Sequence, residues 1–195
     1  MPETKQNRLC CTRHIVKYLL ASIMLMHSES RAIFKHNREG EKMVTGPCRI
    51  EKAGIKDLPL MLKLWRCIPG LGVGSGDEEE SLRLFMERNP STCLVLKDGE
   101  RLLGTVLGGF DGRRGYIYHL AVHPDYQGQG YGRELLKEVL HELRKLGAPK
   151  IHLFAFNENQ LAASFYQSQG WEWRQDIQVF SWDMGKWKTE DDMTV

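Results

Sequence analysis

No stretch of this sequence is apolar for long enough to cross a bilayer, which takes about 20 such residues. The N-terminal run "YLLASIMLM", Tyr18–Met26, stops well short. No transmembrane segment is therefore expected. A strong charge of either sign is also lacking. The formal net charge of +2 argues against nucleic acid as a partner. There is no CxxC pair and no histidine cluster at metal spacing. The five cysteines (Cys10, Cys11, Cys48, Cys67 and Cys93) are odd in number and widely spaced. They read as reduced thiols in a reducing compartment, and no metal is expected. Internal repeats are absent. So is the GK[ST] that a nucleotide-binding P-loop requires.

What is present suits one soluble domain with extensions, since 195 residues is the length of a single folding unit with trimmings. Residues 1–46 carry eight Lys/Arg against four Asp/Glu, leaving 19 against 21 for the rest. This basic segment is expected to lie outside the core. Lys5, Arg8, Arg13 and Lys17 precede the apolar run, and Glu3 is the only acid before Glu29. A mitochondrial presequence and a plain extension, with Met43 as an alternative start, are both consistent with that. The domain is expected over residues 47–186, followed by a polar tail at 187–195. The expected location is cytoplasmic, or mitochondrial if residues 1–46 are a presequence in a eukaryote.

Along the domain, "CRIEK" (Cys48–Lys52) alternates and predicts a strand. Leu58, Met61, Leu62 and Trp65 have helical spacing within Ile55–Cys67, with Asp57 at the start and Pro59 in the first turn. "PGLGVGSG" (Pro69–Gly76) is a glycine-rich loop, and Asp77–Asn89 predicts a second helix with acids at its positive end. A hairpin turning at Asp98-Gly99 joins Thr92–Lys97 to Arg101–Phe110. After the turn "DGRRG" comes the strand Tyr116–Val122. The helix that follows presents Leu135, Leu136, Val139, Leu140, Leu143 and Leu146 as one stripe, ending near Gly147 and Pro149. "KIHLFAF" (Lys150–Phe156) predicts a strand, Asn159–Gly170 a helix, and Trp171–Met184 one or two closing strands. The order β-α-α-β-β-β-α-β-α-β implies an α+β chain, a mixed sheet with helices on both faces.

Between the strand and the striped helix stands "QGQGYG", Gln127–Gly132. A dinucleotide fingerprint needs GxGxxG, but here the third glycine comes one residue early. The pattern that remains is Gln127-x-x-Gly130-x-Gly132. Helix N-termini offer unpaired N–H groups and a partial positive charge to a phosphate, and glycines remove the Cβ atoms that would block its approach. A tight strand-to-helix turn would use the same glycines.

A second motif follows some thirty residues on: Asn159-x-x-Ala162-x-x-x-Tyr166-x-x-x-Gly170-Trp171. Together the two motifs resemble the GCN5-related N-acetyltransferase (GNAT) family, over roughly Cys48 to Met184. The stretch Gly104–Gly115 looks like that of small bacterial members. The resemblance implies a twisted mixed sheet whose fourth and fifth strands splay, with acetyl-coenzyme A in the gap. It implies that backbone groups around Leu120, Ala121 and Val122 bond the thioester carbonyl and the pantetheine arm. Gln127, Gly128, Gln129, Gly130, Tyr131, Gly132 and Arg133 would hold the pyrophosphate. Asn159 would bond the pantetheine, although it also stands where a helix cap belongs. Tyr166 matches the general acid that protonates the departing thiolate. The implied reaction is direct transfer of acetyl from acetyl-CoA to a primary amine on a small molecule or a protein, by a monomer or homodimer. The rival reading is an acetyl-CoA sensor without turnover.

The base is where the sequence departs from the family. Some relatives carry a glutamate where Phe154 stands, and others carry Glu or His in the strand before the glycine loop. Strand parity puts Tyr116, Tyr118 and Leu120 on one face and His119 on the other. By resemblance the acceptor lies on the side of Tyr116 and Tyr118, which would line its pocket. Unless a bulge intervenes, His119 is then structural. His123 reads as positional, and Asp111, Arg113 and Arg114 as a polar turn.

Overall fold

The computed structural model describes residues 48–184, so the expectations for residues 1–46 and for the 187–195 tail lie outside the described residues. The chain divides into two compact units, with the boundary between Phe154 and Ala155. The first unit holds strands β1 (Arg49–Lys52), β2 (Cys93–Asp98), β3 (Arg101–Phe110), β4 (Gly115–Val122) and β5 (Ile151–Leu153). Its helices are α1 (Leu58–Arg66), α2 (Glu79–Arg88) and α3 (Tyr131–Lys145). The five strands form one sheet in chain order, antiparallel from β1 to β4 and parallel between β4 and β5. The second unit contains helix α4 (Gln160–Ser168).

Alternation along β2 and β3 assigns the two faces. Cys93, Val95 and Leu107 pack with Leu58, Met61, Leu64 and Trp65 of α1 and Leu82 and Met86 of α2. The opposite face belongs to α3, whose Leu135, Leu136, Val139 and Leu143 are buried. Helices therefore cover both faces of a mixed sheet, as the element order implied. Two stripe residues behave differently: Leu140 is half-buried, and Leu146 is 44% exposed because α3 ends at Lys145. The stop is a Schellman motif. Gly147, at φ +87°, donates to the Arg144 carbonyl, and Ala148 donates to that of Leu143.

Close approach of α3 to the sheet depends on Gly108. A Cβ there would lie 2.7 Å from Val139 Cγ2 and 2.9 Å from Thr92 Cβ. Both neighbours are fully buried and cannot swing away. Gly108→Ala is therefore expected to destabilise the chain by about 1–3 kcal/mol through overpacking. A urea titration with an unchanged slope and a lower midpoint is the expected result.

Two strand expectations need correction. Lys150–Phe156 yields a strand only over Ile151–Leu153, and none of the described residues in Trp171–Met184 forms a strand. Hydrophobic alternation specifies which face a residue would take, but a strand exists only where a neighbouring backbone supplies the hydrogen-bond ladder. β5 pairs with β4 at just three positions, and Trp173, Ile177, Val179, Phe180 and Trp182 are all exposed.

Candidate active site

The last β4–β5 partners are Ile117 and Leu153. β4 runs on to Val122, five residues past the last position at which it pairs with β5. Along that stretch β4 also breaks register with β3. Leu107 faces Tyr118 and Thr105 faces Ala121, so Val106 alone stands opposite both His119 and Leu120. This is a β-bulge, with the extra residue in β4.

His119 takes up the irregularity with a φ of +47°, the only positive φ at a non-glycine among the described residues. The left-handed region costs an ordinary L-residue about 1–2 kcal/mol, and histidine is among the side chains that tolerate it best. Three contacts hold it. The Thr105 hydroxyl donates to the His119 carbonyl at 2.9 Å. The imidazole stacks on the Trp65 indole, with centroids 4.0 Å apart and planes 17° from parallel. Its Nε2 lies 2.7 Å from Asp77 Oδ1.

The parity argument for His119 is thereby overturned. The bulge adds one residue, which resets the alternation and swings the imidazole onto the face of α1 and α2. Tyr118 lies on that same face, its ring edge-on to Phe85 of α2 at 5.7 Å. Tyr116 stacks against Tyr118 at 6.3 Å and against Phe154 at 6.5 Å. Partial burial, then the neighbouring Tyr116 and Asp111, raise the Tyr118 phenol above the usual tyrosine range. Tyr116 and Tyr118 thus sit together, with His119 beside them.

Past Val122 the chain makes a short 3-10 turn over Pro124–Tyr126. His123 is buried, which lowers its pKa, and its Nδ1 accepts from the Asp125 amide at 3.3 Å. Gln127 turns its side-chain amide back to the Val122 carbonyl at 2.9 Å, and that of Gln129 reaches the Asp125 carbonyl at 3.3 Å. These two side chains brace the loop. Gly128 and Gly130 have φ values of +76° and +92°, and a Cβ at either would meet no described atom within 4 Å. Inside the chain they are needed for conformation, not for space. Gly130 caps α3, and its carbonyl accepts from Arg133 and Glu134. The first amides of α3 have no acceptor within the helix and mark the positive end of its dipole.

In the second unit Asn159 caps α4, with Oδ1 accepting from the Ala162 amide at 3.0 Å. Two turns beyond that cap, Tyr166 is flanked by Phe165 and Trp171, with centroids at 5.2 and 5.7 Å. Burial pushes its phenol up to about 12. The turn Asp111–Gly115 is self-contained, because Asp111 Oδ1 accepts from the Arg113 and Arg114 amides. Asp77, Trp65 and Thr105 were not singled out from the sequence. Asp77 looked like an acid at a helix start, and the other two like core or strand residues.

The sequence profile of the acetyltransferase (GNAT) family matches residues 59–171, more than half of the chain. The chain belongs to the GNAT family. Two bacterial relatives are similar to this GNAT chain. Acetyltransferase SG1711 of Sodalis glossinidius is 31% identical over 115 residues, 59% of this chain and 78% of the relative. Acetyltransferase ECA0875 of Pectobacterium atrosepticum is 32% identical over 117 residues, 60% and 82% of the two chains. Among solved structures, Ard1 from Thermoplasma volcanium superimposes with a TM-score of 0.57 at 17% identity, covering 64% of this chain and 82% of its own. The PaiA N-acetyltransferase from Thermoplasma acidophilum, solved with coenzyme A, gives 0.54 at 19%, covering 64% and 89%. At those identities the structures establish the fold. The family makes this GNAT chain an N-acetyltransferase, with acetyl transfer as its reaction class. Among the described residues no helix is long and apolar enough to cross a membrane, and no cluster of His, Cys, Asp and Glu suits a metal ion.

Proposed function

We propose that this GNAT chain moves acetyl from acetyl-CoA to a primary amine by direct attack. The observation that carries the proposal is the course of β4. It runs past its last pair with β5, at Ile117, and continues through a bulge into a loop of left-handed glycines that heads α3. In this reading the amides from Gly128 to Arg133 take the pyrophosphate at the positive end of α3. Backbone groups of Leu120 and Val122 take the pantetheine arm and the carbonyl, where an N–H would also stabilise an oxyanion. Asn159 contributes to pantetheine binding in addition to its cap. Acetyl-CoA supplies the activated thioester when bound. Tyr166 gives a proton to the departing sulfur. A phenol raised to about 12 stays protonated across the working pH range, so the donor is always loaded.

The loop offers a direct check. Gly130→Val places a β-branched side chain at a φ of +92° and a Cβ where the pyrophosphate is expected. Acetyl-CoA affinity should fall by at least about tenfold, on the order of one lost charge-assisted hydrogen bond. Isothermal titration calorimetry measures it; unchanged affinity would remove the loop from the cofactor site. The reaction itself is tested by an acetyl-CoA-dependent screen over small primary amines, amino acids and peptide N-termini, read by thiol release. Acetyl-CoA binding with no thiol release for any amine would leave the acetyl-CoA sensor as the better reading.

A further inference from the structure

We infer that His119 is the general base that deprotonates the acceptor ammonium, and that Asp77 is its positioning residue. The inference rests on the transferase reading above and supplies the group missing from it. No glutamate stands at the Phe154 position, just past β5 and ahead of the asparagine motif. The bulge brings an imidazole onto the Tyr118 face instead.

The geometry assigns the roles within the pair. Asp77 uses both carboxylate oxygens: Oδ2 accepts from the Gly74 amide at 2.8 Å, and Oδ1 accepts from His119 at 2.7 Å. Both oxygens are thus engaged within the protein, and the imidazole stands between the carboxylate and any acceptor. The bond through Oδ1 fixes Nε2 of the ring as the N–H. That leaves Nδ1 as the basic nitrogen, and it has no hydrogen-bond partner among the described residues. A carboxylate that holds an imidazole tautomer from behind also stabilises the imidazolium that forms. Trp65 adds to this, because an indole face attracts a cation stacked on it. The two side chains are 11% and 18% exposed, so the pair is screened from bulk water without being sealed from it. The groups packed on the ring are the charged Asp77 from the loop before α2 and the uncharged Trp65 of α1. Uncharged Thr105 of β3 holds its backbone, and Tyr118 precedes it on β4.

The position in the chain fits the chemistry. His119 immediately precedes Leu120, whose backbone is proposed at the thioester. Asp77 closes the glycine-rich loop through Gly74, so the carboxylate that orients the base also shapes the acceptor side. The proton balance is complete. His119 Nδ1 takes one proton from the ammonium, and the freed nitrogen attacks the thioester carbon. As the C–S bond breaks, Tyr166 donates its proton to sulfur and recovers one from the nitrogen that has become an amide. His119 then releases its proton to solvent, and one proton leaves per turnover.

Two variants keep the fold while changing the proton chemistry. Asparagine tolerates the left-handed backbone, so His119→Asn preserves the bulge. Asp77→Asn preserves shape and removes charge. Two probe amines are used with acetyl-CoA: 2-phenylethylamine, an ammonium at neutral pH, and 2,2-difluoro-2-phenylethylamine, whose fluorines leave much of it as free amine. For 2-phenylethylamine, kcat/KM should fall about 100-fold or more in His119→Asn, with loss of the wild-type acidic limb. For the fluorinated amine the fall should be far smaller. Asp77→Asn should lower kcat for 2-phenylethylamine and shift the acidic limb, with KM for acetyl-CoA unchanged. A second readout needs no acceptor. Nitrogen-15 spectra should show His119 as the Nε2–H tautomer in the wild type, with that tautomer preference lost in Asp77→Asn. Equal losses for both amines, an unaltered pH profile in His119→Asn, or an Nδ1–H tautomer would overturn the base while leaving the transferase intact. A wild type that binds acetyl-CoA yet releases no thiol with any amine would overturn both.

Discussion

Replacing Tyr166 with phenylalanine is expected to lower kcat about 100- to 10,000-fold, the usual effect of removing a positioned general acid. Acetyl-CoA affinity should not change, because the ring that packs between Phe165 and Trp171 remains. A thiolate leaving group has a conjugate acid of about 8.5, so some thiolate departs without help, and this limits the loss. The phenol is raised by burial to about 12, so its own ionisation should not appear in the wild-type profile below that value. The variant should accordingly keep the wild-type acidic limb while losing rate at every pH. Steady-state kinetics with the best amine from the screen, beside calorimetric acetyl-CoA binding, check both halves. An undiminished rate would assign Tyr166 to packing alone. This experiment is independent of the one on His119, since one group delivers a proton to sulfur and the other removes one from nitrogen.

Trp65→Ala should produce the largest loss of stability, about 3–5 kcal/mol, out of a total that for a domain of this size is about 5–15 kcal/mol. Trp65 has no exposed surface and sits among Leu58, Met61, Leu64 and Leu107. Three consequences combine in the variant. A large cavity opens between α1 and the sheet. The Thr105 hydroxyl loses the indole N–H that it accepts at 2.8 Å. The His119 imidazole loses the surface on which it is stacked. The first is a cost to the core; the other two loosen the bulge. Trp65→Phe separates them, because it keeps an aromatic surface and removes the hydrogen bond. Its expected cost is about 1–3 kcal/mol, from the buried hydroxyl left with one fewer partner. Chemical denaturation measures each value. Equal costs for the two substitutions would show that volume is not what matters at this position.

Much of the candidate site's local backbone was legible in the sequence because it depends on local rules. Gly128 and Gly130 must adopt left-handed backbone at the mouth of a helix, and three glycines within five residues announce that need. Asn159 heads a helix and caps it, the role its amide side chain suggested. The apolar stripe of α3 needs only the helical period to be read, and Leu135, Leu136, Val139 and Leu143 are buried as that period requires.

His119 shows the boundary of such reading. Its identity and neighbours suggested a strand residue facing away from Tyr118, and within a regular strand that would hold. The register between β3 and β4 is a relation between two segments, and a single added residue in one of them reverses every face beyond it. Likewise, nothing near His119 in sequence points to Asp77, which is 42 residues earlier and meets it only because α1, α2 and the glycine-rich loop fold over that face. The closing strands failed for a related reason, since alternation in Trp171–Met184 supplies faces but no partner backbone. The sequence alone thus determined the helices, the strands that find a partner, the glycine loop and the family, all of which follow from spacing along one chain. The tertiary structure decided which side chains meet at the bulge, because hydrogen-bond register and packing link residues that no local period connects.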